Sequence, residues 1–176
     1  MILTRNRIIG LVLALAIWLA DQAVKHWVLT GLDLRRVGAV EVLPFFDFRY
    51  TENHGVSLGM LTADSPEMRW GLVIMTALIA AGVLVWLLRE KVLADILGLG
   101  MVLGGALGNI QDRATLGYVV DYADLHFGTF RPFLIFNIAD AMISIGVVII
   151  LARTLLSREK PADEARDAGS PKKAEP

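Results

Sequence analysis

The sequence predicts an all-α membrane protein with four transmembrane helices and a small extramembrane β-rich segment on the outer face. Hydrophobic residues make up 55% of the 176 residues and the mean hydropathy is +0.57, more apolar than a soluble domain of this size. Four apolar stretches reach the ~20 residues that a bilayer-spanning helix needs. A further stretch, between the first two, carries charges of both signs and alternating apolar residues.

The domain organisation follows from these patterns. A chain of this length has room for one domain, and we expect a single integral-membrane domain over residues 1–156. Residues 157–176 are rich in charge, Ala and Pro without an apolar period, which predicts a disordered cytoplasmic tail. The predicted spans are about 8–29, 67–88, 92–109 and 133–156, and the predicted outer segments are 30–66 and 110–132.

The first span is uncharged from Ile8 to Ala20 and follows two arginines. A cleaved signal peptide is the alternative interpretation, but no small-x-small cleavage site follows cleanly and the helical pattern continues. Asp21 and Lys25 are four residues apart, so they share a helix face and can pair near the outer end of the span. The pair either only lowers the cost of insertion or forms a polar wall facing a functional site.

The outer segment 30–66 predicts a small sheet. Apolar and charged side chains alternate from Phe45 to Tyr50, so the aromatic residues would share one strand face. The run Glu52 to Gly55 has turn chemistry. Asn53 is therefore either a turn residue or a hydrogen-bonding group directed inward.

The second and third spans carry packing signals. Trp70 and Trp86 lie near opposite ends of the second span, as interfacial aromatic residues do, and we assign that span no chemistry. In the third span, Gly100, Gly104 and Gly108 have the small-xxx-small spacing that lets helix backbones approach closely in lipid.

The strongest functional signal is Asp140, the only charge between residues 133 and 152. A carboxylate in such a run costs ~2.5–3.5 kcal/mol to insert, so it indicates a functional site. Counted from Pro132, it should lie ~12 Å along the last helix. Asn137 shares its helix face, and Asp121 is a possible partner only a short loop upstream. Two carboxylates beside carboxamides suggest acid–base chemistry at a membrane surface.

A second polar group ends the third span. Asn109, Asp112 and Arg113 are at positions i, i+3 and i+4 of a helix. Taken on their own, these residues predict an interfacial cap with an Asp112–Arg113 ion pair. Residues 114–132 then predict a loop, in which Asp124 is given no role in the site.

Five blocks of this sequence resemble the lipoprotein signal peptidases, or type II signal peptidases, of bacteria. The blocks extend over roughly residues 15 to 150, nearly the whole chain outside the tail. The stretch after Gly55, from Val56 to Met60, departs from the family pattern, as does the position of Arg131-Pro132. The matching blocks are Asp21 with Lys25, Asn53-His54-Gly55, Gly108-Asn109-x-x-Asp112-Arg113, Val120-Asp121, and Phe136-Asn137-x-Ala139-Asp140.

The resemblance implies an intramembrane aspartyl endopeptidase that removes signal peptides from prolipoproteins, cutting before the diacylglyceryl-modified cysteine. Asp121 and Asp140 would be the catalytic pair and would share one proton. No cofactor and no metal are implied. The residues expected to bind substrate or orient the pair are Asp21, Lys25, Asn53, Asn109, Asp112, Arg113 and Asn137.

The distribution of basic residues predicts the orientation of the chain in the membrane, and the net charge bears on its partners. Arginines and lysines crowd the termini and the turn at 89–91, so both termini should be cytoplasmic. Asp121 and Asp140 would then face the periplasm from the cytoplasmic (inner) membrane of a bacterium. The net charge of −1 gives no argument for nucleic acid. The expected partners are lipid-modified prolipoprotein signal peptides and membrane lipid, and the sequence is compatible with a monomer.

Two other classes of protein remain open from the residues alone. A small ion carrier or channel also uses intramembrane carboxylates, although such proteins usually have broken helices or an internal repeat. A metal-dependent membrane hydrolase could bind Mg²⁺ or Mn²⁺ through Asp and Asn oxygens. The chain has no cysteine, which excludes a thiol nucleophile, a disulfide or a thiolate metal site.

Overall fold

The computed structural model of the chain describes residues 3–55 and 66–157. Four of its helices, α1, α3, α4 and α5, are long and apolar enough to cross a membrane, which confirms the predicted four-helix membrane fold with a small sheet. The predictions made for residues 56–65 and for the tail beyond Ser157 lie outside the described residues. The elements are α1 (Arg5–Thr30), α2 (Leu34–Val37), β1 (Ala39–Leu43), β2 (Phe46–Asn53), α3 (Pro66–Arg89), α4 (Leu93–Thr115), β3 (Val119–Leu125) and α5 (Ile138–Ser157).

Helix α4 is the centre of the bundle and packs against α1, α3 and α5. Its glycines allow this close approach. A Cβ atom added at Gly104 would lie 2.5 Å from the carbonyl oxygen of Ala14 in α1, closer than real Cβ contacts. The predicted packing role of the glycine stripe is therefore confirmed, and it brings the polar end of α4 against α1 and α5.

The three strands form an antiparallel sheet in the order β1-β2-β3. The sheet packs on the end of α1, where Val120 and Tyr122 share an apolar cluster with Val28 and Leu34. The aromatic residues of β2 pack on the same cluster, as the alternation predicted. In the register between β2 and β3, Thr51 lies opposite Asp121, beyond an irregularity in the pairing.

Strand β3 corrects the expectation of a loop over residues 114–132. Its residues from Val119 to Asp124 are all buried, so no alternation of apolar and polar residues marks the strand. Two of the buried residues, Asp121 and Asp124, are carboxylates, which a pattern based on hydropathy assigns to a loop. The strand is predictable only when the burial of these charges is known.

The bounds of the last two long helices also differ from the predicted ones. Helix α4 continues past Asn109 to Thr115, because the side chain of Asp112 lies within the protein. Helix α5 begins at Ile138 and not at residue 133, because Phe136 exchanges backbone hydrogen bonds with Ala123 of β3 and is extended. The predicted depth of Asp140, ~12 Å along a helix, is therefore wrong: Asp140 lies in the first turn of α5.

Candidate active site

The fold brings Asp121 of β3 and Asp140 of α5 to the same end of the bundle. Asn137, just before α5, contacts both. Its side-chain amide donates to Asp121 Oδ1 at 2.7 Å, and its backbone N–H lies 3.4 Å from Asp140 Oδ2. Asp121 is 2% exposed and Asn137 is fully buried. The two carboxylates singled out in the sequence therefore share one buried hydrogen-bonding neighbour.

The first turn of α5 is closed by side chains. The backbone N–H of Asp140 donates to Asn137 Oδ1 at 3.0 Å, which with the reverse contact gives the reciprocal arrangement of a capping box. The N–H of Ala139 donates to Asp21 Oδ1 at 3.1 Å. These contacts satisfy N–H groups that have no partner within the helix. They also place Asp140 at the positive end of the α5 dipole, where negative charge is stabilised.

Each carboxylate has a further amide donor from another element. Asn53, at the end of β2, donates to Asp121 Oδ2 at 3.1 Å. Asn109 of α4 donates to Asp140 Oδ1 at 2.8 Å and accepts from the Asn137 amide at 3.3 Å. Three asparagines predicted as neighbours of the pair are thus in contact with it, and they come from β2, from α4 and from the segment just before α5.

Behind Asn109 lies a buried ionic cluster. Lys25 Nζ lies 2.7 Å from Asp21 Oδ2 and 2.9 Å from Asp112 Oδ2, with all three side chains at most 4% exposed. Lys25 also donates to Asn109 Oδ1 at 3.4 Å. The predicted Asp21–Lys25 pair is confirmed. The alternative of an Asp112–Arg113 ion pair is not, because Asp112 pairs with Lys25 and accepts from the N–H of Val120 at 3.1 Å.

Arg113 supplies positive charge beside the carboxylates. Its half-buried guanidinium interacts electrostatically most strongly with Asp140, less strongly with Asp121 and least with Asp112. Its buried Nε atom makes no hydrogen bond within residues 3–55 and 66–157. Arg113 therefore acts on the pair through charge and has a donor that other described side chains do not use.

Burial raises the pKa of Asp121 to about 7, and the negative charge of Asp140 acts in the same direction. The amide donors Asn53 and Asn137 oppose the increase. A carboxyl group with a pKa near neutrality can exchange a proton during a reaction. Because the two groups interact, the proton belongs to the pair.

Two residues were missed in the sequence. Gln22 donates to Asp112 Oδ1 at 3.0 Å and to Asp21 Oδ2 at 3.2 Å, and so joins the two carboxylates on either side of Lys25. Its signal was present, since an amide within an apolar span needs a partner. Arg69 of α3 donates to the backbone carbonyl of Arg113, a contact that the sequence of the second span does not indicate.

Asp124 lies apart from these contacts. It is three residues from Asp121 in the same strand, and side chains at odd spacing point to opposite sheet faces. There it is fully buried and paired with Arg49 at 2.9 Å and Arg131 at 3.1 Å. His54 is likewise directed to Glu52, at 3.2 Å. The acidic residues of these contacts, Asp124 and Glu52, lie in the sheet.

In the buried ionic cluster, Lys25 supplies the positive charge that offsets Asp21 and Asp112. Lys25 occupies the space between Asp21 and Asp112. Among the residues that the structure describes, no three histidine, aspartate or glutamate side chains converge as a metal ion would require. Within that part of the chain, the carboxylates are arranged for hydrogen bonding and ion pairing.

The fold and the site together define a class: a multi-pass membrane protein with paired carboxylates, held by asparagines, at one end of a four-helix bundle. Comparison with known proteins identifies the family. The model of the family described as "Signal peptidase (SPase) II" matches residues 13–156. The chain belongs to this family, and it is therefore a peptidase.

Individual relatives agree with the assignment. A lipoprotein signal peptidase of Rhizorhabdus wittichii is 51% identical over 154 residues, covering 88% of this chain and 90% of its own. One of Sphingopyxis alaskensis is 48% identical over 151 residues, covering 86% and 87%. A solved bacterial membrane enzyme, 26% identical, superposes with a TM-score of 0.72 over 94% of each chain. The fold and the sequence family thus point to the same class of enzyme.

Proposed function

We propose that the protein removes signal peptides from prolipoproteins as an intramembrane aspartyl endopeptidase, cleaving before the diacylglyceryl-modified cysteine. Family membership supports the substrate class. The observation that supports the chemistry is the joint contact of Asn137 with Asp121 and Asp140. Two carboxyl groups held by a shared amide can supply one acid and one base to a hydrolysis.

The two carboxylates take different roles in this mechanism. Asp140 is assigned the role of base from its position, since it lies in the first turn of α5 and accepts a hydrogen bond from the Asn109 amide. Asp121 contributes the acid, because burial and the charge of Asp140 raise its pKa to about 7, and the proton is shared by the pair. Amide donation to Asp121 partly offsets this increase, so the proton remains transferable.

Hydrolysis then proceeds through water. Asp140 removes a proton from a water molecule, whose oxygen attacks the scissile carbonyl carbon. Asp121 gives its proton to the carbonyl oxygen as the tetrahedral intermediate forms. On collapse, the carbon–nitrogen bond breaks, a proton from Asp140 goes to the leaving amine, and Asp121 recovers its proton from the intermediate's hydroxyl. No cofactor takes part in these steps.

The other polar residues position the pair and the substrate. Asn53 and Asn109 fix one oxygen of each carboxyl group. Asp21, Lys25 and Asp112 hold Asn109 and the first turn of α5 in place. Arg113 has an unused buried donor within the described residues and is suited to bind a substrate carbonyl.

We propose that this site faces the periplasm from the inner membrane. The basic residues Arg7 and Arg153 are at the other end of the bundle, where Arg7 donates to the Glu90 carbonyl and Arg153 pairs with Asp95. The positive-inside rule assigns that end, with both termini, to the cytoplasm. The sheet and the carboxylate pair then lie on the outer side, where exported precursors arrive.

The function is tested with purified protein and a synthetic precursor peptide carrying the diacylglyceryl cysteine. Mass spectrometry should find one new cleavage, at the bond before that cysteine. The matched control is the same peptide with an unmodified cysteine, which should be cut far more slowly. Cleavage elsewhere, or equal cleavage of both peptides, would contradict the proposed specificity.

A further inference from the structure

Arg69 of α3 binds the backbone at the C-terminal end of α4. Its Nε donates to the carbonyl oxygen of Arg113 at 2.8 Å, and its Nη2 donates to that of Ala114 at 2.5 Å. The last carbonyl groups of an α-helix have no partner within the helix. The fork of one guanidinium therefore fixes two consecutive carbonyls at the end of α4.

This contact is preorganised. The Arg69 guanidinium also lies 5.4 Å from the centre of the Trp70 ring, within cation–π distance. A positive charge at the C-terminus of a helix interacts favourably with the helix dipole. The side chain is thus held by an aromatic neighbour on its own helix while it holds the adjacent helix.

The backbone that Arg69 holds is that of Arg113, whose guanidinium interacts with Asp140 and Asp121. Moving that backbone moves the charge beside the pair. Displacement by ~1 Å from a remote change can lower turnover by about 10²-fold. A contact from α3 therefore reaches the reacting groups through one residue.

We propose that Arg69 is a positioning residue for peptide hydrolysis, acting through Arg113 and without contact to the substrate. The proposal rests on the proposed function. It assigns a role to the second span, which carries none of the family-like motifs. The coupling of α3 to the site would run through two hydrogen bonds to backbone atoms.

Arg153 provides a matched control on the same helix bundle. It joins α5 to α4 through Asp95 at 3.0 Å, at the end remote from the carboxylates. Like Arg69, it is a partly buried arginine that connects α4 to a neighbour. We expect its replacement to affect the association of α5 with α4 and to leave Arg113, near the opposite end of α4, in place.

The test is a double-mutant cycle measured with the lipid-modified precursor in one detergent. Arg69→Ala should lower kcat roughly 10- to 100-fold with KM nearly unchanged. Arg69→Ala combined with Arg113→Ala should be within about twofold of Arg113→Ala alone, since residues that act as a unit are not additive. Arg69→Lys, which keeps the charge but has one donor nitrogen in place of the guanidinium fork, should recover part of kcat. Arg153→Ala should combine additively with Arg113→Ala.

Additive losses for Arg69 and Arg113, or wild-type kcat in Arg69→Ala, would overturn the inference. So would a lowered melting temperature with unchanged kcat, since that is the result of a purely structural contact. Retained cleavage in Asp121→Asn would contradict the proposed function itself, and this outcome differs from those that reject the role of Arg69. Wild-type kcat in Arg69→Ala beside an inactive Asp121→Asn would reject the positioning role alone.

Discussion

Asn137 and Asp140 hydrogen-bond to each other across the first turn of α5, side chain to backbone in both directions. The remaining amide hydrogens of Asn137 face Asp121 and Asn109. The residue that caps the helix is thus the residue that joins the two carboxylates. Folding of α5 and assembly of the pair depend on the same side chain.

This double role can be separated by substitution. Asn137→Ser keeps a helix-capping oxygen, so stability should stay close to wild type, whereas Asn137→Ala should lose ~1 kcal/mol. Both lack the amide that donates to Asp121 at 2.7 Å, and both should lose turnover by roughly 10²-fold. Thermal unfolding and peptide cleavage measured on the same samples check this. Normal turnover in the serine variant would show that the amide link is dispensable.

The pH dependence follows from Asp121. Its pKa is raised to about 7, so the pair should lose its shared proton as pH rises through that value. The basic limb of kcat/KM should therefore fall near pH 7. The Asn53 amide lowers the pKa of Asp121, so Asn53→Ala should move this limb to higher pH. A limb that stays in place or moves to lower pH would contradict the assignment.

The stability of the folded state should also depend on pH through Asp121. Asp121 binds its proton more tightly in the folded than in the unfolded state, whose pKa is near 3.8. The folded state therefore loses stability as pH rises from about 4 through about 7. Melting temperatures of wild type and Asp121→Asn over this range check the prediction. The substitution should remove part of the decline, and Asp33→Asn, at an exposed side chain, should not.

Lys25 should matter far more for stability than a surface cation. Lys25→Met leaves Asp21 and Asp112 buried without their counter-charge, and breaking a buried pair in this way costs ~3–5 kcal/mol. Arg36→Met removes the partner of Asp33, with side chains 78% and 50% exposed, and should cost at most ~1 kcal/mol. Denaturation of both variants in one detergent gives the comparison. Equal effects would mean that the buried cluster is not ionised as an ion pair.

Membrane orientation is tested with reporter fusions. A reporter fused at the C-terminus should be active only in the cytoplasm, because basic residues crowd the termini and the 89–91 turn. A reporter inserted near Gly38 should be active only outside. The opposite pattern would put Asp121 and Asp140 on the wrong side for exported precursors.

The sequence was sufficient for the four helices and for the polar residues around the pair. Long apolar runs set the helices, and intramembrane polar groups such as Asp140 and Lys25 are costly enough to mark a site. The start of α5 could not be read, because the apolar residues before Asn137 suit either a helix or an extended segment. Only pairing of Phe136 with Ala123 decides between them.

The missed contacts share a physical cause. Gln22 and Arg69 bind groups that are remote in sequence, and the Arg69 contact is to backbone carbonyls, which leave no pattern in side chains. Strand β3 could not be predicted from hydropathy, because its buried residues include carboxylates. Local periodicity reports exposure to lipid or water, and these features depend on contacts between elements.

The most direct test of the account is the exchange of each carboxylate of the proposed catalytic pair for an amide. Asp121→Asn and Asp140→Asn are nearly isosteric and should fold, since an amide is cheaper to bury than a charge. Each should remove almost all cleavage of the lipid-modified precursor. The double variant should be little worse, as for residues acting as one unit.

These variants are assayed beside wild type and the surface variant Asp33→Asn, with and without chelator. We expect wild-type turnover in Asp33→Asn, no effect of chelator on wild type, and inactivity in both single active-site variants. Substantial cleavage by either Asp121→Asn or Asp140→Asn, or loss of wild-type activity to chelator that added metal restores, would contradict the two-aspartate mechanism.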